Sequence, residues 1–527
     1  MKLTKIALAL ALMAGSTVAF AVPVTQEDIE AARVAGTLQQ AWISGASAPT
    51  INIYEGWVGS GTGVGCDPGS NTIFTSQANT GASIGNVKPG SIGNFMAYAC
   101  KRASKVSVLY HVVDGGSLLF VAPHTVGTKL ARVKYVGTST CATSLPYVDN
   151  SNPDNNATVF KGCQQVGIPI PSTGTTSSSN TTNADAVAGD PLAPQLPVGG
   201  FSDVEAALFP ADIGGGNVTS KGVQGKANIG QVFGLVVSAP LYRELQMAQN
   251  IFPLGTDFDT DGPGIDSGAD GTFDPALAPD ITSQQYVSIA ALGGAYQTDW
   301  SPIIPGSTKR MILVRRVSTS GTQASSNAFF LRSPCAKAVG AALSPAIAGD
   351  SALPIGTGFE VFEGASTGNV KTRISTATTV GDFAIGVMSL ENDWRTEATS
   401  STSGYRFVKL DGVHPEADDS IAITFNGNLI TSSNARLQAT NGNYPFHMET
   451  FNFVRSNYAG VPAKTAFESV ILGQITTALA KPPSTSCALL PRGLTLNPLG
   501  GSVCAAGAQK MKSTVLGNNC SAYQLTQ

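Results

Sequence analysis

The chain has 527 residues, a formal net charge of −3, 42% hydrophobic residues and 13% charged residues. That charged share is about half the globular average, so charge-driven disorder and a basic nucleic-acid footprint are both excluded. Fifty-eight glycines and 30 prolines indicate a turn-rich globular chain, long enough for roughly two to four domain-sized units.

Lys2 and Lys5 precede a short apolar stretch, Ile6 to Ala14. Ala19-Phe20-Ala21 then has the small-x-small pattern of a leader cleavage site. Residues 1–21 are therefore expected to be a signal peptide, with a mature chain starting at Val22. The stretch is too short to span a bilayer, and no later apolar run reaches about 18 residues. No cysteine follows the cleavage site, so no lipid anchor is expected. A periplasmic or secreted protein follows from this reading.

Thr25 and Asp28 have the spacing of a capping box. Four apolar runs read as buried strands: Val106 to Tyr110, Gly234 to Val237, Met311 to Val314 and Ala384 to Met388. Ile281 to Leu292 and Ala466 to Ile475 have helical spacing. Alternation of strands and helices predicts an α/β fold with a largely parallel sheet. Residues 149–160, 171–200 and 254–280 read as polar insertions or linkers.

Eight cysteines are present: Cys66, Cys100, Cys141, Cys163, Cys335, Cys487, Cys504 and Cys520. An even count behind a leader predicts disulfides. Sequence does not fix their connectivity. Local pairing would join Cys66 to Cys100 and Cys141 to Cys163, leaving Cys335 and the three C-terminal cysteines. The segment after Lys481 then reads as a stapled extension.

The strongest chemical signal is Met311 to Leu331. A buried strand ends in Arg315-Arg316, a small polar turn follows, and a helix begins near Gly321. A helix N-terminus offers unpaired N–H groups and a favourable dipole to an anion. Ser320 and Thr322 add hydroxyls, and an arginine adds a charge-assisted pair. The plain alternative is an ordinary strand–loop–helix joint.

Three further turns have the same small, polar character. Ser44 to Thr50 follows an apolar stretch and precedes a helical run. Asp114-Gly115-Gly116-Ser117 follows the Val106 strand. Phe201-Ser202-Asp203 reads as the start of a helix, with Asp203 as its N-cap. Separately, Asp257, Asp259, Asp261 and Asp266 alternate in the manner of a calcium loop. Gly268 stands where an EF-hand needs its last acid, and plain Asp-Gly turns have the same pattern. His111, His124, His414 and His447 are scattered, without zinc-motif spacing. No G-x-S-x-G elbow occurs. No enzyme is expected, and no cofactor beyond that calcium ion. The four tryptophans read as core or cleft-wall residues.

Taken in order, the four turns resemble those of the phosphate-binding (PstS-type) substrate-binding proteins of bacterial phosphate ABC transporters. That family carries a G-A-x-A-T/S turn, a G-S-x-G-G turn, a G-A-S-D turn and R-x-D-x-S-G-T. Here the last is Arg316-Val317-Ser318-Thr319-Ser320-Gly321-Thr322. Ile229 to Pro240 is similar to the family's crossover strand. Ile281 to Trp300 resembles its segment ahead of the arginine strand. Gly381 to Leu390 resembles its G-x-I-G-Y strand, and Tyr444-Pro445 with Phe451 to Val454 its late return. The likeness runs from about residue 40 to 480.

The resemblance implies a two-lobed periplasmic-binding fold of type II, with long loop insertions and a cysteine-rich C-terminal extension. It implies lobe I over 22–238, lobe II over 239–443, a return to lobe I over 444–480 and an extension over 481–527. Phosphate or a similar oxyanion would sit between the lobes and pass to an ABC permease. Arg316, Ser320, Gly321 and Thr322 would hold it. Asp203 would accept a hydrogen bond from a protonated ligand oxygen, which sulfate lacks. Ser202, Ser47, Thr50, Gly115, Gly116 and Ser117 would complete the lining. Three departures stand out. Ser318 replaces the acid that partners the family's arginine, Pro49 lacks a backbone donor, and Asp114 stands where a serine is expected. Two other functions fit the same residues: a secreted surface or matrix protein that kept the fold without transport, and, less well, a secreted hydrolase.

Overall fold

A computed structural model describes residues 22–59, 65–75, 95–127, 130, 132–134, 145–147, 158–162, 164–166, 196–251, 274–291, 299–336, 342–347, 359–396, 404–417, 420–425, 428–480, 492–496, 513–514, 520 and 523–524. The leader and the Asp257–Asp266 segment lie outside them. So do Cys141, Cys163, Cys487 and Cys504.

The chain opens with α1 (Gln26–Val34), β1 (Gln39–Gly45), α2 (Thr50–Val58) and β2 (Thr72–Thr75). A hairpin of β3 (Phe95–Arg102) and β4 (Lys105–Val112) leads to α3 (Ala122–Thr125). Short strands follow: β5 (Arg132–Lys134), β6 (Leu145–Tyr147), β7 (Thr158–Gly162), β8 (Gln164–Val166) and β9 (Gly199–Ser202). The long strand β10 (Gly222–Ser238) comes next, then α4 (Ala239–Ala248), β11 (Asp280–Ile281) and α5 (Ser283–Ala290). An alternating run holds β12 (Met311–Arg316), α6 (Gly321–Leu331), β13 (Phe359–Gly364), α7 (Thr367–Val380) and β14 (Phe383–Ser389). After it come β15 (Tyr405–Phe407), β16 (Lys409–Leu410), β17 (Ser420–Phe425), β18 (Asn428–Ser433) and α8 (Leu437–Thr440). The last elements are β19 (His447–Arg455), α9 (Ala466–Ala480), β20 (Leu494–Leu496), β21 (Ser513–Thr514) and β22 (Tyr523–Gln524).

The architecture is mixed α/β around one 14-stranded sheet. Its order is β13-β12-β14-β10-β19-β9-β1-β4-β3-β2-β7-β6, with β15 and β20 also on β10. The four expected strands fall inside β4, β10, β12 and β14. The expectation of a largely parallel sheet is corrected. Two parallel groups, β9-β1-β4 and β13-β12-β14, are joined through antiparallel pairs of β10 with β14 and β19. The physical reason is the length of β10. Its first part pairs with β19 up to Val232, and Phe233 to Val237 pair with β14.

Both sheet faces are covered. Ala41, Ile43, Tyr98 and Leu109 join α2 and α9 in one apolar cluster. Trp42, Ala97, Val108 and Tyr110 face the other way, in a second cluster with Ile29 of α1. This alternation is the two-residue period of a strand. Trp42 stacks on Tyr110 at 4.3 Å. A third, larger cluster surrounds β12, β14 and the later half of β10. All four tryptophans are buried.

Local signals decide several boundaries. The Thr25–Asp28 capping box is present. The helix expected from Ile281 begins two residues later, because Thr282 caps it reciprocally with Gln285. Residues Gly199 and Gly200, read as the end of a linker, are instead part of β9. Disulfides join Cys66 to Cys100 and Cys335 to Cys520. The extension also adds β20 to the sheet, at Ile229 to Gln231 of β10. Among the described residues, no helix is long and apolar enough to cross a membrane.

Candidate functional site

In an open α/β sheet, ligands bind outside the carboxyl ends of parallel strands. Here β1, β4 and β9 are parallel, so the turns after Gly45, Val112 and Ser202 leave at one edge. Parallel β12, β13 and β14 likewise end together, at Arg316, Gly364 and Ser389. Every turn singled out in the sequence leaves from one of these ends.

The four turns touch one another. The Ser44 hydroxyl donates to the Leu119 carbonyl at 2.7 Å. The Ala46 N–H donates to the Phe201 carbonyl at 2.7 Å, and the Leu118 N–H to the Thr319 carbonyl at 3.0 Å. The Ser117 hydroxyl donates to Oδ2 of Asp203 at 2.8 Å. A β-carbon built on Gly321 would stand 2.3 Å from that same oxygen and 2.4 Å from Ser117 Oγ. Glycine is thus the residue that lets α6 begin against this pair.

Asp203 does not cap a helix. It follows β9, and the next regular element is a 3₁₀ turn at Ala206–Leu208. Its side chain is only 6% exposed. Oδ1 has no hydrogen-bond partner among the described residues. A buried carboxylate oxygen without a partner is costly, so this one calls for a donor. Burial raises the Asp203 carboxyl to about 6, against the Ser117 hydrogen bond and the Arg316 charge, which both lower it.

Arg316 is 9% exposed. Its guanidinium donates to the Gly364 carbonyl (3.2 Å), the Ala365 carbonyl (3.1 Å) and the Thr367 hydroxyl (2.9 Å). Three of its five N–H donors are thereby engaged, leaving two for a ligand. The Arg316 backbone N–H donates to Gln323 Oε1 at 2.9 Å. Burial lowers the Arg316 pKa to about 10, while Asp203 and Glu391 favour its charge. Ser318, in the position of the family's acid, is exposed. The counter-charge therefore comes from Asp203 and Glu391. The neighbouring Arg315 points elsewhere, 3.4 Å from Glu363.

Ser320 is the N-cap residue of α6, and its side chain makes no cap bond. The first intrahelical bond runs from Ala324 N–H to the Ser320 carbonyl at 3.0 Å. The N–H groups of Gly321, Thr322 and Gln323 precede it and form the donor end of the helix. No acidic residue lies in this first turn. Ser320 and Thr322 are both buried.

The other expected residues are placed less directly. Gly115 and Gly116 form the turn before Ser117, both at positive φ. Ser202 is buried and its hydroxyl accepts from the Val204 N–H at 3.2 Å. Thr50 spends both N–H and hydroxyl on the Ser47 carbonyl, at 3.0 and 2.6 Å. Ser47 itself is exposed. Asp114 is half-buried. Among the described residues no His/Cys/Asp/Glu group could hold a metal ion.

Sequence reasoning missed Glu391. It follows β14, and Ser389 Oγ donates to its Oε1 at 3.1 Å. Burial and the Asp203 charge raise its carboxyl to about 7, while Ser389, Lys371 and Arg316 pull the other way. One acid after a strand end has no local signature. Only the convergence of strand ends identifies it.

No family model and no curated protein matches the chain. Among solved structures it is similar to one described as a "possible phosphate binding protein" from Planctomyces limnophilus DSM 3776. Identity is 9% and the TM-score 0.24, over 53% of this chain and 80% of that one. The geometry of the site, not this likeness, carries the functional reading.

Proposed function

We propose that the chain is an exported, non-enzymatic binding protein that captures an oxyanion, foremost phosphate, in a cleft between two lobes. Lobe I takes residues 22–238 and 444–480, and lobe II takes 239–443. Closure is a hinge motion about the strands that join them. The captured ion then passes to an ABC permease. Two disulfides suit an oxidising compartment beyond the cytoplasm.

The observation that carries this reading is the unpartnered Oδ1 of Asp203, buried beside the N-terminus of α6 and the Arg316 guanidinium. Cationic and N–H donors suit the anionic oxygens. The lone acceptor suits a ligand oxygen that carries a proton. Sulfate has no proton to offer at neutral pH and would face the carboxylate directly, so the site rejects it.

Calorimetry with phosphate, arsenate and sulfate on the mature chain tests this. Phosphate and arsenate should bind and sulfate should not. Arg316→Ala should abolish binding, and Asp203→Asn should bring phosphate and sulfate closer in affinity. No heat with any of the three, in a folded protein, would sink the reading and favour a surface interaction protein.

A further inference from the structure

We propose that Glu391 is a second carboxyl of this site and that, with Asp203, it makes the site take up a proton with its anion. The proposal rests on the oxyanion reading above and concerns how that site is regulated.

Glu391 stands where three strand ends meet. β14 lies between β12, which carries Arg316, and β10. Arg316 reaches over the end of β13, and Glu391 follows the end of β14 with its carboxyl held by Ser389. Asn392 also donates to Ser389, at 2.9 Å to the carbonyl and 3.2 Å to the hydroxyl, fixing this turn. From behind, the C-terminal segment closes on it. A β-carbon on Gly493 would lie 2.7 Å from the Glu391 nitrogen. The charged groups acting on Glu391 are Asp203 after β9, Arg316 on β12 and Lys371 on α7. The charged group acting on Asp203 is Arg316.

Counting charge at the ligand gives the consequence. Two ionised carboxylates are offset by Arg316 and Lys371, so an entering dianion leaves the cluster with an excess negative charge. A dianion entering it would meet two like charges, one on buried Asp203 and one on half-buried Glu391, and like charges so placed raise one another's proton affinity. The Asp203 charge favours protonated Glu391. One proton from solvent, held on Glu391 or on the ligand, removes the conflict. Anion capture is therefore favoured at mildly acid pH and release at alkaline pH.

The test compares wild type with Glu391→Gln, using inorganic phosphate in two buffers of different ionisation enthalpy between pH 6 and 8. Protonation of phosphate itself is common to both proteins and cancels. Wild type should take up close to one proton more per phosphate than the variant at pH 8. Its affinity should fall more steeply with pH, approaching tenfold per unit more at the steepest point. Glu391→Gln should bind phosphate tighter than wild type at pH 8. Carbon-13 titration of the side-chain carboxyls in ligand-free wild type gives a readout that needs no variant. Glu391 titrating near neutrality supports the proposal. Equal proton counts, or Glu391 titrating near the ordinary value of about 4, overturn it. Wild type that binds no oxyanion at any pH removes both readings. Binding with an unchanged proton count removes this one alone.

Discussion

Gly321 lies so close to the Asp203 carboxylate that a β-carbon at residue 321 would stand 2.3 Å from Oδ2. Two competing effects act on Gly321→Ala. Alanine is the better helix former by about 1 kcal/mol. Overpacking against a carboxylate and the Ser117 hydroxyl costs about 1–3 kcal/mol. The clash should win, because Asp203 and Ser117 are both buried and tied to each other. Urea unfolding should show a net loss of stability, and phosphate binding should weaken by tenfold or more. A stabilised variant with intact binding would refute the tight approach.

Arg316→Lys separates charge from geometry. The guanidinium reaches two carbonyls and a hydroxyl at the ends of β13 and the start of α7. An ammonium is a single point of donation and cannot span all three. Unmade bonds to buried carbonyls cost about 1–3 kcal/mol each. The variant should lose stability in denaturant unfolding and lose most phosphate affinity, although its charge is kept. Unchanged affinity would show that charge alone suffices.

The sequence made the strand ends readable because short apolar runs bounded by turn residues are local signals. Pairing was not readable. Gly222 of β10 faces Arg455 of β19, and no local pattern records a partner so distant. The β3–β4 hairpin turns through Ala103 and Ser104, both at positive φ. These are not the Asn-Gly or Asp-Gly pairs that mark such turns. Asp67 compensates by accepting both of their N–H groups at 3.1 Å. Arg316, Ser117, Asp203 and Gly321 were legible through order and motif. Taken locally, Asp203 reads as a cap, since a strand end and a helix start share small polar residues; only the order of the four turns reads it as a ligand acceptor. Glu391 was invisible because its partners come from other strands.

The two raised carboxyls set a pH dependence of stability. In the unfolded chain both titrate near 4, whereas in the fold Asp203 titrates at about 6 and Glu391 at about 7. Between those limits the folded protein holds more protons than the unfolded chain. Stability from these groups is therefore full below about pH 4 and is lost as pH rises through 6 and 7. Glu360, held low by Arg373 and Arg310, acts in the opposite sense in acid. The difference between wild type and Glu391→Gln isolates the upper part. The variant's melting temperature should fall less between pH 5 and 8. Parallel curves would show that Glu391 titrates alike in both states.

The disulfides predict a fragment pattern. Non-reducing peptide mapping should recover Cys66 joined to Cys100 and Cys335 joined to Cys520. Cys66→Ser should cost about 2–4 kcal/mol, the usual effect of losing a native bridge. Any other partner for Cys66 would contradict this pairing.

The C-terminal segment should matter to the site although, among the described residues, it contributes no group to it. Gly493 takes a φ of 73° and presses on residues 390 and 391. Its N–H donates to the Asn434 carbonyl at 2.8 Å, and its carbonyl accepts from the Val232 N–H at 2.9 Å. The backbone is thus fixed on both sides, and β20 holds it against β10. A side chain at 493 has no room, since its β-carbon would lie 2.6 Å from the Leu390 carbonyl carbon. Positive φ adds its own penalty for a branched residue. Gly493→Val should therefore displace the Leu390–Glu391 turn, or expel the segment from the sheet. Either way the pH profile of phosphate affinity should move toward that of Glu391→Gln, while Arg316 and α6 keep their bonds and some binding remains. A Gly493→Val protein with wild-type stability and the wild-type pH profile would show that the segment is only an attachment to the sheet.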